Sequence, residues 1–333
     1  MNLRSTSITA TITMAATALA ALIGPSPARA QSLPEGMFAE GHASLSRIWG
    51  GSSPVTFATA DFDIGWRPGS GGTIPLGFAL GVDAFNSSTA AGSTGKIALY
   101  PTLSYEISPA LSLSAGVPRF VSSRNGGYLP DERPFYSDAF ALNIRQYFGS
   151  IAATSYLLYS ASSQPYGLRL DYGNGSLALG ASYHHVDSDS GDGADVIALA
   201  ASHEMAIAGL SEARVFASYE RISEGGGSDI SQYRIGFAGK YGPVHGALTL
   251  GRFDPPSSSK VTTAELNATW DVSEGLSARA SVLAIDFPTG SSTLYGLGAK
   301  YRFNKWASLQ ASAYDSDAGG FDPRYELGFS VDF

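Results

Sequence analysis

YELGFSVDF, residues 325–333, is the stretch whose reading decides the fold. On an extended strand successive side chains point to opposite faces. Tyr325, Leu327, Phe329, Val331 and Phe333 then share one face, and Glu326, Gly328, Ser330 and Asp332 the other. One row is wholly apolar and the other polar or small. A half-buried strand of a soluble sheet has this pattern. So does a strand of a membrane barrel, with the apolar row against hydrocarbon and the polar row facing water. The rest of the chain separates the two.

Residues 1–30 read as a secretory signal. Arg4 supplies a short positive region, Ile8 to Ile23 is mostly apolar, and Ala28-Arg29-Ala30 has the small-x-small cleavage form. The apolar run is shorter than the ~20 residues that a helical span requires. Removal of this segment leaves residues 31–333 as one exported domain. That domain carries 19 basic and 29 acidic side chains, a net of −10, which argues against a nucleic-acid partner. It has no cysteine, hence no disulfide framework and no thiolate chemistry. No segment after residue 30 has the apolar length of a membrane helix. A barrel escapes that test because half of each strand is polar.

Alternation like that of the last strand recurs along the chain. Ile97, Leu99, Pro101, Leu103 and Tyr105 alternate with Ala98, Tyr100, Thr102, Ser104 and Glu106. Leu111, Leu113, Ala115 and Val117 alternate with Ser112, Ser114 and Gly116, which predicts a strand over 110–118. Tyr233, Ile235 and Phe237 alternate with Gln232, Arg234 and Gly236, and Tyr295, Leu297, Ala299 and Tyr301 with Gly296, Gly298 and Lys300. Short connections such as Asn174-Gly175 and Gly242-Pro243 alternate with longer polar ones such as 187–194 and 254–259. Short periplasmic turns and long external loops are the pattern of an outer-membrane barrel. The expected fold is therefore all-β, a transmembrane antiparallel β-barrel. Residues 119–164 leave the strand count open: two weak strands near 137–148 and 151–160 would make eighteen, and one long loop would leave sixteen.

YGLGAKYRF (295–303), the hairpin that follows it to Phe333, and YGLRLDYGNGSLALGASYHHVDSD (166–189) resemble general bacterial porins of the alphaproteobacterial type. GVPRF (116–120) resembles the segment leading into the porin constriction loop. The resemblance implies sixteen strands, a homotrimer in the Gram-negative outer membrane among lipid and lipopolysaccharide, and passive diffusion of ions and small hydrophilic solutes. It also implies that residues 119–164 are the third external loop, folded into the lumen. A substrate-specific eighteen-stranded channel and a closed structural or adhesive barrel are the alternatives.

A barrel of this size is too wide to fill with its own side chains. Selectivity then follows from pore diameter and lining charge. The candidate constriction comprises Arg119, Arg124, Asp131, Glu132, Arg133, Asp138 and Arg145 on the loop, with Arg169, Arg234 and Arg279 on the wall. Porins often set an acidic loop against a basic wall, whereas this loop has a formal charge of +1. No G-x-S-x-G elbow occurs, and no catalytic constellation or cofactor is expected. His184 and His185 point to opposite faces and read as solvated or interfacial groups, not as a metal pair. Asp187, Asp189 and Asp192 form the one acidic cluster that could take Ca²⁺, but Ala198 stands where an EF-hand loop needs its closing Glu.

Overall fold

The computed structural model describes residues 36–50, 54–67, 75–90, 92–122, 128, 165–187, 193–224, 229–255, 260–318 and 322–332. The alternating runs form sixteen strands. In chain order they are β1 Met37–Trp49, β2 Val55–Trp66, β3 Leu76–Thr89, β4 Gly92–Ser108, β5 Leu111–Gly116 and β6 Pro165–Asn174. There follow β7 Leu177–Val186, β8 Ala194–Glu204, β9 Ser211–Glu224, β10 Ile230–Tyr241 and β11 Val244–Asp254. The ring is completed by β12 Val261–Asp271, β13 Leu276–Phe287, β14 Gly290–Arg302, β15 Ala307–Ser316 and β16 Arg324–Asp332. Each strand pairs with its sequence neighbours, and β16 pairs with β1, so the sheet is a closed barrel with no edge strand.

Exposure shows which row faces out. Tyr325, Leu327 and Phe329 are 47%, 46% and 44% exposed, whereas Glu326 and Ser330 of the alternate row are 2% and 1% exposed. A soluble sheet would bury the first set. The same inversion holds around the ring, where Leu103, Leu168, Ile235 and Leu297 are outward and exposed. The apolar row is the membrane-facing row.

β5 is the shortest strand, six residues against seventeen in β4. The alternation predicts a strand through residue 118, but β5 stops at Gly116. Gly116 has φ +106°, a conformation that side chains resist, and a Cβ there would lie 2.6 Å from the Pro101 carbonyl oxygen. The Val117 amide then donates to that same carbonyl at 2.8 Å, and the chain turns off the wall. β5 and β6 pair directly, Gly116 opposite Gly167, so the ring closes at sixteen without a member from the interval between them. The two weak strands expected near 137–148 and 151–160 lie outside the described residues.

Candidate functional site

The segment leaving β5 crosses the interior. Pro118, Arg119, Phe120, Val121 and Ser122 are all buried, and each touches the inner wall. Phe120 packs among Val186, Ala194, Val196, Ile222 and Ile230, from β7 to β10. Val121 packs with Tyr128, Ala198 and Ala200. The inner row of β8 is therefore Ala194, Val196, Ala198 and Ala200 because protein, not water, covers it. Between Asp195 and His203 its outer row, with Ile197 and Leu199, is also apolar. A strand apolar on both faces is the mark of one covered on both.

Polar contacts fix the same segment, here called the loop root. His184 on the inner face of β7 donates from Nε2 to the Pro118 carbonyl at 2.7 Å, and its ring lies 3.8 Å from that of Phe120. It is completely buried, and its Nδ1 has no hydrogen-bond partner. This corrects the solvated or interfacial reading of His184. Its neighbour His185 does face outward, bound to Asp195 at 2.7 Å. The Val121 amide donates to Ser182 Oγ at 3.3 Å. Ser122 donates to the Glu220 carboxylate, and Arg234 Nη2 donates to the Ser122 carbonyl at 2.5 Å. Tyr128 shares its hydroxyl proton between Asp171 Oδ1 at 2.6 Å and the Leu179 carbonyl at 2.8 Å. Its ring lies over Gly180, where a Cβ would come within 2.5 Å of it. Burial, then the bond to Asp171, pushes the Tyr128 phenol above its ordinary range, so it stays a donor.

Arg119 extends the other way around the ring. Its Nε donates to both carboxylate oxygens of Asp63 at 3.1 Å, and its Nη1 to Asp83 Oδ1 at 2.7 Å. The guanidinium sits 4.6 Å from the centroid of Tyr100. Burial works against its charge, but Asp83 and Asp63 outweigh that and hold its pKa above the ordinary arginine value. Arg169 binds Asp171 from Nε and Nη2 at 2.7–2.9 Å and donates from Nη1 to the Arg119 carbonyl at 3.2 Å.

Three of the expected constriction residues, Arg119, Arg169 and Arg234, thus meet at the loop root. Arg279 stands apart on β13, three strands beyond the β10 that carries Arg234. Arg124, Asp131, Glu132, Arg133, Asp138 and Arg145 lie outside the described residues, as do Asp189 and Asp192 of the acidic cluster. Asp187 lies 3.4 Å from His185 Nε2. The sequence reading missed the roles of Asp63, Asp83, Tyr128 and His184 as partners of the root. Only the doubly apolar β8 hinted that something would cover the inner wall.

No known protein-family pattern matches the chain, and no characterised protein matches its sequence. Solved structures do resemble it. Salmonella typhi OmpF, in complex with daunomycin, superposes with a TM-score of 0.61 at 15% identity over 89% of this chain and 97% of that one. OmpT lacking loop L8, an outer membrane protein of Vibrio cholerae, gives 0.59 at 13% identity, covering 89% and 99%. A variant of the Rhodopseudomonas blastica porin gives 0.55 at 18% identity, covering 89% and 100%. At these identities the likeness speaks for the backbone: the chain has the porin-type fold, a sixteen-stranded transmembrane barrel entered by its own chain after β5.

Proposed function

We propose that the chain is an outer-membrane porin, a water-filled passage for ions and small hydrophilic solutes. The carrying observation is the loop root, held against the inner wall by Arg119, His184 and Arg234. A segment that enters a barrel and binds its wall narrows the passage, and the charged groups it gathers set which solutes pass. The same reading places the mature protein in the outer membrane, exported by residues 1–30, among lipid and lipopolysaccharide, as a homotrimer. The pore needs no cofactor and no catalytic group.

A second reading, a closed structural barrel, draws on one feature. Leu283, Ile285 and Leu294 face inward on β13 and β14, yet are 5%, 1% and 7% exposed. Planar-bilayer recording with the purified, processed protein separates the readings. A porin gives stepwise conductance in KCl that falls as uncharged solutes of graded size enter. Absence of steps across repeated reconstitutions refutes the pore and leaves the closed barrel.

A further inference from the structure

We propose that Asp63 and Asp83, with Arg119 seated behind them, form the cation-selecting element of the passage. The inference rests on the pore reading and goes beyond it by naming the class of ion and the atoms that choose it. The two carboxylates come from the inner faces of neighbouring strands β2 and β3. Their side chains are 28% and 33% exposed, whereas that of Arg119 is 9% exposed. An ion in the lumen therefore meets the acids first, with the guanidinium behind them. One cation shared by two carboxylates leaves the trio with a net charge of −1.

Arg119 Nη2 is buried with no hydrogen-bond partner, although the guanidinium presents its other nitrogens to both acids. Gly81 on β3 leaves the space for this arrangement: a Cβ there would lie 2.4 Å from Asp63 Oδ1 and 3.0 Å from Arg119 Nη2. Asp61, directly opposite Asp83 in the β2–β3 register, adds a further carboxylate beside the trio. Arg119 limits a charge that would otherwise be larger, and so sets how strongly this wall prefers cations.

The test is the zero-current potential of the full-length processed protein in a KCl gradient, read as the K⁺/Cl⁻ permeability ratio. The wild type is expected to favour K⁺. Arg119→Gln raises the trio from −1 to −2, and the ratio should rise ~3–10-fold, the effect of one added charge a few ångström from an ion in water. Asp83→Asn alone makes the trio neutral and should lower the ratio by a similar factor. Arg119→Gln combined with Asp83→Asn restores −1 and should return the wild-type ratio. That return separates an effect of charge from a displaced root. The inference is overturned by a wild type that favours Cl⁻, by a ratio that stays within twofold in Arg119→Gln, or by a combined variant as shifted as Arg119→Gln. A wild type without any conductance instead refutes the pore on which the inference stands.

Discussion

Removing the Tyr128 side chain should unseat the loop root without unfolding the barrel. Tyr128 is 5% exposed and packs with Val121, Ala198 and Ala200, and its hydroxyl serves Asp171 and Leu179. Truncating a buried aromatic ring costs ~3–5 kcal/mol. The ring joins the root to the wall and takes no part in the sixteen-strand ladder, so the cost falls on local opening. At ~1.4 kcal/mol per decade, Tyr128→Ala should raise the open fraction about 150- to 4,000-fold. Tyr128→Phe keeps the ring and gives up a bond to a charged acceptor worth ~1.5–3 kcal/mol, which corresponds to about 10- to 150-fold. The chain has no cysteine, so Val121→Cys supplies a single reporter at a fully buried site on the root. Its rate of reaction with a water-soluble maleimide follows the open fraction when closing outpaces labelling. Heat-dependent mobility in detergent gels should stay that of a folded barrel in all three proteins. A rate in Tyr128→Ala within threefold of the parent would refute the claim that this ring holds the root down.

The same reporter tests the other side of the ring contact: Gly180→Val places carbon where Tyr128 lies 2.5 Å away and should mimic Tyr128→Ala. His184→Phe keeps a flat ring but leaves the buried Pro118 carbonyl without its donor, a loss of ~1–3 kcal/mol seen as faster labelling, and His184→Gln should recover part of it. Gly116→Val forces a β-branched residue into positive φ against the Pro101 carbonyl and should sharply reduce the folded, heat-modifiable species. Asp317, just past β15, accepts the Thr293 amide at 2.6 Å, and that bond holds its carboxyl below the usual range. Its stabilising contribution is present above the unfolded aspartate value and lost as pH falls through the lower folded value. A carboxyl titration by NMR with its midpoint at or above the ordinary aspartate value would contradict this.

Most of the wall was legible because one rule governs each strand: every second residue meets hydrocarbon. That rule put Arg169, Arg234 and Glu326 on the inner face before any contact was known. It could not show what those residues touch. Asp63 and Asp83 lie 56 and 36 positions before Arg119, on strands that the ring brings opposite the loop root. Side-chain parity fixes the face of a strand but not the occupant of the space beyond it. His184 illustrates the limit: parity set it and His185 on opposite faces, but its burial depends on Pro118 and Phe120 arriving from elsewhere. The extent of β5 was missed for a local reason: Ala115 and Val117 keep the alternation while Gly116 between them breaks the backbone path.

The bond ladder between β1 and β16 joins residues such as His42 and Asp332, 290 positions apart. Until those last nine residues have been made and threaded into place, the sheet is an open ribbon with two sticky borders. Closure must then wait for the whole polypeptide, a late and long-range event of the kind that makes folding slow and aggregation a constant competitor. A chain halted shortly before Arg324 would keep nearly all its strands and still fail to make a vessel.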